Sequence, residues 1–478
     1  MAFKDECGVF GVWPELEASR QTYLGLYALQ HRGQEAAGIC SRSKGRLYLH
    51  KGLGHVADIF TEAILDQLPG DGAIGHTRYS TTGGNVASAA HPFLVEGRFG
   101  QLSLCHNGNL TNTEELRARL IRSGQVFSSP SDSEVILALI NRASASNLED
   151  ALLEALEQVQ GAYSILLLTE TQFLAVRDPH GFRPLAMGRL GEATVFSSET
   201  CAFDLLGAEY VREVAPGEVL VLDRDGMHSH FPHPQVRPRP CVFEHVYFSR
   251  PDSLVYGQSV MATRREMGRL LARRHGVAAD LVVPVPDSGV SSALGYAEQS
   301  GIPFEFGLIR NHYVGRTFIE PRQTIRSFGV KVKLNPVREL LKGKRVVLVD
   351  DSLVRGTTSR KIVQMVRAAG AAEVHVRISS PPTTHSCFYG IDTPTRDHLL
   401  ASSRTAGQIR DFILADSIGY LTMEDLQAAM GDRDGQGFCY ACFTGDYPTA
   451  VPTVTPVTFI RPDERGDPEA FQTQFPGV

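Results

Sequence analysis

Apolar positions fall differently in the two halves of the chain. In the first half they form short runs split by Gly and Asn: CGVFGVW, GAIGHTRYS, LSLCHNGNL and AYSILLLTE. Such runs predict strands joined by tight turns. Between them SDSEVILALINRA has helical spacing, with Ser131 or Ser133 as the cap and acids in its first turn. Strands and helices in this order predict a layered α/β arrangement with much antiparallel sheet. In the second half LVVPVPDSGVSSALGYA and KRVVLVDDSLVRGTTSRKIVQMVRAAG each read strand, loop, helix, and EVHVRISS reads as a further strand. Unbroken apolar runs such as VVLV suit strands covered on both faces, so their alternation with helices predicts a doubly wound parallel sheet. Helical material is expected after about residue 400, then a Pro-rich, poorly ordered tail from 448. Between the halves lies HSHFPHPQVRPRP at 228–240. Its prolines remove donors and fix the backbone, so it is expected to be a connector.

Composition narrows the class. The chain has 478 residues, 42% hydrophobic and 21% charged, which suits an ordinary globular protein of several domains. Its 47 basic and 53 acidic residues give a net charge of -6, which argues against nucleic acid or a membrane surface as partner. No uncharged apolar run approaches the roughly 20 residues that span a bilayer. The start lacks a basic region followed by an apolar stretch, so no secretory signal is expected and the expected location is cytoplasmic. Eight cysteines are too sparse for a disulfide scaffold. They are expected to be buried thiols, metal ligands or nucleophiles.

Two stretches carry chemistry. VVLVDDSLVRGTTS (346–359) is a buried strand ending in two acids, then a loop with Gly356, Thr357 and Thr358, then a helix. A helix N-terminus offers backbone N–H groups and a positive dipole end to a phosphate. Asp350 and Asp351 suit ribose hydroxyls or Mg²⁺. Cys7 is the other. Left in mid-chain it is a small buried hydrophobe. If the chain is cut before it, it gains an α-amino group with a reference pKa of about 7.7–8.0, and one residue then carries nucleophile and base. CYAC adds a Cys-x₂-Cys pair, Cys439 and Cys442, with Cys241 and Cys387 far off in sequence. Four thiolates suit tetrahedral zinc or an iron–sulfur cluster, and spacing does not decide between them.

Resemblances sharpen each reading. VVLVDDSLVRGTTS resembles the phosphoribosylpyrophosphate (PRPP) motif of type I phosphoribosyltransferases. That implies a 5′-phosphate held by Arg355, Gly356, Thr357, Thr358 and Ser359, and ribose facing Asp350 and Asp351. VPVPDSG (283–289) resembles that family's pyrophosphate loop, which implies Mg²⁺ on Ser288, Asp350 and Asp351. NHYVGRTFIEP (311–321) resembles its closing loop, with Arg316 as a pyrophosphate contact.

CGVFG, LQHRGQEAAGI, GHTRYSTTG, CHNGNL and SDSE occur in the order and spacing of class II glutamine amidotransferase domains. The implied fold is an N-terminal nucleophile four-layer α/β/β/α domain over 7–235. Cys7 is then the nucleophile, and the Asn107 side chain and Gly108 N–H form the oxyanion hole. Arg78 takes the glutamine carboxylate and Asp132 its ammonium. Arg32 is a weaker glutamine-site candidate, positioning the terminus. The phosphoribosyltransferase domain with its C-terminal helical segment then covers 236–447, and 448–478 is the tail.

The two domains in one chain resemble the glutamine PRPP amidotransferase family over residues 7–447. RPCVFEHVYFSRPDS, SSPPTTHSCFYGID and CYACFTGDYP resemble its iron–sulfur branch. This implies a structural [4Fe–4S] cluster on Cys241, Cys387, Cys439 and Cys442, and a propeptide, residues 1–6. Cys40, Cys105 and Cys201 match no role and are expected to be packing residues. The implied reaction makes 5-phosphoribosylamine, glutamate and pyrophosphate from PRPP, glutamine and water, at the first committed step of purine synthesis. The resemblance also implies purine-nucleotide inhibitors and a homotetramer. A sugar-phosphate amidotransferase would share the first domain but not the PRPP motif. A PRPP- or nucleotide-sensing regulator would share the second but need no processed cysteine.

Overall fold

The computed structural model describes residues 7–79, 87–234, 236–311 and 334–452. The four apolar runs of the first half are strands, Gly8–Trp13, Gly72–Arg78, Gly100–Leu110 and Gly161–Thr169. They are shared between an antiparallel sheet of seven strands and one of six. Val9, Trp13, Ile74, Leu166, Phe173 and Phe196 fill the space between the sheets. The helix Ala18–Ala28 covers the outer face of the first sheet through Leu26 and Ala28. Helices Asp132–Arg142 and Leu148–Leu156 cover the second. Four layers, α/β/β/α, result. Gly161–Thr169 is buried at all nine positions because helices press one face and the other sheet presses the opposite one. Ser131 caps the helix Asp132–Arg142, its hydroxyl accepting from the Ser133 N–H.

The second half holds a parallel sheet in the order Leu281–Pro284, Arg345–Asp350, Glu373–Ile378, Ser417–Tyr420. Helices Val260–Arg274 and Val290–Ser300 pack on one face through Met267, Leu271, Ala293 and Tyr296. Helices Thr357–Ala368 and Ala406–Ile413 pack on the other through Ile362, Val366 and Ile409. This is the doubly wound arrangement.

Three expectations need correction. The material after residue 400 is not all helical, since Ser417–Tyr420 extends the sheet. The connector begins later than 228, because Met227–His230 is the outermost strand of the six-stranded sheet. The tail does not loosen at 448. Thr449 exchanges hydrogen bonds of 3.0 Å with the Tyr389 hydroxyl, and Val451 packs beside it. Residues 1–6, Arg316 and the chain beyond 452 lie outside the described residues. No helix among the described residues is long and apolar enough to cross a membrane.

Candidate active site

Cys7 precedes the strand Gly8–Trp13, whose register pairs Gly8 with Thr77. That pairing brings Cys7 alongside Arg78 and Tyr79, and the thiol donates to the Tyr79 carbonyl at 3.6 Å. Gly108 comes from the neighbouring sheet and Asp132 from the first turn of a helix. Cys7, Arg78, Gly108 and Asp132 line one small cavity, completed by Tyr79, His91, His106 and Ser131. Four residues predicted from separate motifs are therefore gathered at one place.

The details are chemically specific. Gly108 has φ +144°, and a Cβ there would lie 2.1 Å from the Ala162 carbonyl oxygen, so only glycine fits. Asn107 is buried, and among the described residues its Nδ2 has no hydrogen-bond partner. A buried donor left unpaired costs about 1–3 kcal/mol. Asp132 accepts from the Leu110 N–H at 3.0 Å and lies 3.5 Å from His106 Nδ1. Burial pushes its carboxyl up, but His106 and the N–H groups of Leu110 and Ser133 outweigh this and hold it below its ordinary value. His106 is raised in turn, Asp132 outweighing burial. Burial drives His76 down to about 3 and His91 well below the usual imidazole range, so both are neutral near pH 7. His91 and His106 carry no motif signal of their own. His106 adjoins Asn107 in CHNGNL, which is where a sequence search would meet it.

Arg32 does not line this cavity. Its Nε donates to the Cys7 carbonyl at 3.0 Å. Its other nitrogens reach Glu199 at 2.6 Å and Glu244 at 2.8 Å, all three side chains being fully buried. Arg32 therefore contacts the backbone of Cys7 and, among the described residues, does not line the cavity. Glu199 also accepts from the Arg250 N–H and the Ser253 hydroxyl of the second half. Arg183 donates to the Tyr389 carbonyl at 2.8 and 2.9 Å. Asn109 donates to the Phe388 carbonyl at 2.9 Å. The nucleophile and the strand carrying Gly108 are thus tied directly to the second half.

At the carboxyl end of the parallel sheet, Asp350 and Asp351 end the central strand. The loop after Leu281–Pro284 brings Ser288, whose hydroxyl donates to Asp351, as does that of Ser352. Gly356 caps the helix Thr357–Ala368, with Thr357 exposed and Arg355, Thr358 and Ser359 half-buried. Asp350 is pushed well above the carboxylate range by burial and then by its neighbour Asp351. Asp351 is raised by burial, against the Ser288 and Ser352 hydroxyls and Arg264. Two adjacent carboxylates and a hydroxyl form an all-oxygen donor set that suits a hard divalent cation.

Cys241, Cys439 and Cys442 are buried and Cys387 half-buried, with Cys439 and Cys387 packed near Ala162 and Phe182 of the first half. Cys241 and Cys439 face each other in an isolated parallel bridge. Burial alone would raise Cys387, but Cys442 and Arg183 hold its thiol at about 6. Cys442 is pushed well up, by Cys387 and by burial, with smaller contributions from Cys241 and Cys439. The Tyr389 N–H donates to the Cys387 sulfur at 3.2 Å. Cys40, Cys105 and Cys201 are buried packing residues, with thiols driven up by burial.

Residues 76–204 match the family described as "Glutamine amidotransferase domain", and residues 260–379 match "Phosphoribosyl transferase domain". The chain is 54% identical over 449 residues to amidophosphoribosyltransferase 2, chloroplastic, of Arabidopsis thaliana, covering 93% of this chain and 80% of that protein. It is 49% identical over 451 residues to amidophosphoribosyltransferase of Bacillus subtilis, covering 94% of this chain and 95% of that one. A solved structure of glutamine phosphoribosylpyrophosphate amidotransferase from B. subtilis, complexed with ADP and GMP, matches with TM-score 0.89 at 48% identity, over 94% of this chain and 99% of that chain.

Proposed function

This chain belongs to the amidophosphoribosyltransferase family, and from that premise we propose how its residues divide the work. The reaction makes 5-phosphoribosylamine, glutamate and pyrophosphate from PRPP, glutamine and water, the first committed step of purine synthesis. The observation that carries the assignment is the cavity joining Cys7, Arg78, Gly108 and Asp132 beside the unpaired Nδ2 of Asn107.

Removal of residues 1–6 frees the Cys7 α-amine, which takes the thiol proton as Cys7 attacks the amide carbon of glutamine. The developing oxyanion accepts from Asn107 Nδ2 and the Gly108 N–H. Arg78 grips the substrate carboxylate and Asp132 the ammonium, which is why Asp132 must stay ionised. Arg32 is a positioning residue that fixes the Cys7 carbonyl. The intermediate collapses with cleavage of the C–N bond, the α-ammonium of Cys7 returning its proton to the departing ammonia, and water hydrolyses the resulting Cys7 thioester to glutamate. Ammonia passes to the second site and attacks C1 of PRPP, displacing pyrophosphate. Arg355, Gly356, Thr357, Thr358 and Ser359 hold the 5′-phosphate at the helix N-terminus. Asp350 and Asp351 face the ribose, and with Ser288 they would hold Mg²⁺, which supplies charge neutralisation to the departing pyrophosphate. Arg316 completes the pyrophosphate contacts.

The four cysteines would hold a [4Fe–4S] cluster in a structural role. No three of their sulfurs lie within 4.8 Å of one another. Iron analysis and the visible spectrum test this, and stoichiometric zinc in colourless, active protein would overturn it. The same reading comprises the domain limits 7–235 and 236–447, purine-nucleotide inhibitors, a homotetramer testable by sedimentation, and a cytoplasmic location.

The division of labour is tested by two variants. Cys7→Ala should abolish glutamine-dependent synthesis and spare synthesis from ammonium salts at high pH. Asp351→Asn should depress both syntheses and leave some basal glutaminase. If well-folded Cys7→Ala lost the ammonia reaction, the two sites would not be separate.

A further inference from the structure

The six-stranded sheet ends on the strand Met227–His230, which pairs only with Val219–Leu222. Side chains alternate along a strand, so His228 and His230 project to the same side. The helix Leu148–Leu156 brings Glu149 to them in its first turn. His228 Nε2 lies 3.1 Å and His230 Nε2 3.2 Å from one and the same atom, Glu149 Oε2. The other carboxylate oxygen, Oε1, accepts from Gln172 Nε2 at 2.7 Å. Among the described residues this is the only group of three His, Cys, Asp or Glu whose ligand atoms all lie within 4.8 Å of one another.

A surface ion pair accounts for one imidazole on a carboxylate. Two imidazole nitrogens converging on one carboxylate oxygen, with ring centroids 5.2 Å apart, also match the donor arrangement of a metal site. Tetrahedral zinc with nitrogen and oxygen ligands at about 2.0–2.1 Å puts neighbouring donors about 3.3–3.4 Å apart, close to the two nitrogen–oxygen separations of 3.1 and 3.2 Å, and all three ligand atoms lie within 4.8 Å of one another. Gln172, from a third element, turns the carboxylate so that Oε2 faces both rings, as outer partners orient metal ligands.

We propose that Glu149, His228 and His230 form a site for one divalent transition ion of the zinc class, with water in the fourth position. Two imidazoles and a carboxylate suit zinc, nickel or copper(II) better than Mg²⁺. The ion would clasp the outermost strand to the helix Leu148–Leu156, just where the chain leaves the first domain. Part of the histidine bias of HSHFPHP, which the transferase reaction does not use, then has a physical role.

The test is calorimetric titration of ZnCl₂ into the full chain and into His228→Asn/His230→Asn. Free thiols elsewhere in the chain can take up zinc as well, so the readout is the difference between the proteins. The double variant should lose one equivalent and the zinc-dependent rise in unfolding temperature. Gln172→Ala should weaken binding at the site about tenfold to a hundredfold. None of these residues lines either catalytic centre, so unchanged glutamine-dependent synthesis verifies folding. Cobalt(II) gives a second reading, because a nitrogen–oxygen site lacks the intense thiolate charge-transfer band of a cysteine site. Equal zinc stoichiometry and affinity in both proteins, or cobalt spectra showing only the thiolate band, would overturn the proposal.

Discussion

Asn107→Ala should separate activity from stability. Among the described residues Asn107 Nδ2 is buried without a partner, so truncation breaks no hydrogen bond of that nitrogen. Relief of an unpaired buried donor is worth about 1–3 kcal/mol. Loss of packing at a nearly inaccessible position opposes it. The two offset, and unfolding free energy should stay within about 1 kcal/mol of wild type. Catalysis should respond quite differently. Removal of one oxyanion donor costs about 10²–10³ in kcat, or about 2.7–4 kcal/mol. Substrate grip rests on Arg78 and Asp132, so KM for glutamine should change little. The assays are glutamate release, phosphoribosylamine formation from glutamine and from ammonium salts, and denaturant unfolding. Ammonia-dependent synthesis should be unaffected. A glutaminase kcat reduced less than about tenfold would refute the oxyanion role. Destabilisation by several kcal/mol would show that the amide has a structural partner after all.

Arg32→Lys keeps a cation between Glu199 and Glu244 but loses the fork that also reaches the Cys7 carbonyl. Glutaminase should fall about tenfold or more while ammonia-dependent synthesis survives. Arg32→Met, which takes the shared guanidinium away from two buried carboxylates, should cost about 3–5 kcal/mol in denaturant unfolding. In Glu199, burial raises the carboxyl but His31 and Arg32 outweigh it, holding it at about 2 against an ordinary 4.5. A depressed folded value means that the stabilisation is complete above pH 4.5 and is lost as pH falls toward 2. It is on the order of 3 kcal/mol, and Glu199→Gln should flatten this acid limb in unfolding measured against pH. Gly390 has φ +113°, and a Cβ there would lie 3.3 Å from Gly108 backbone atoms. Gly390→Ala should add about 1–2 kcal/mol of strain and lower glutaminase selectively, and equal loss of both syntheses would contradict that coupling.

The chemistry was legible where function demands fixed residue types in a local order. Asp350–Asp351 before Arg355–Ser359 needs only a strand end and a helix start, both set by neighbouring residues. CHNGNL places Asn107 and Gly108 on one strand for the same reason, and Ser131 caps its helix through an atom two residues away. What periodicity could not reach was the choice of non-local partner. Ser417–Tyr420 is too short to declare itself a strand, and it becomes one because Glu373–Ile378 offers a free edge. Arg32 reads as a surface charge or a ligand grip until Glu199 and Glu244, 167 and 212 residues away, bury it. His91 enters the Cys7 cavity only because two sheets and a helix meet there. The four cysteines, spread from 241 to 442, share a region only once distant segments of the second half fold together. Local sequence determines backbone preference and reactive groups. The balance of burial and buried partners, which holds Asp132 and Glu199 down and raises Asp350, depends on surfaces brought together from the whole chain.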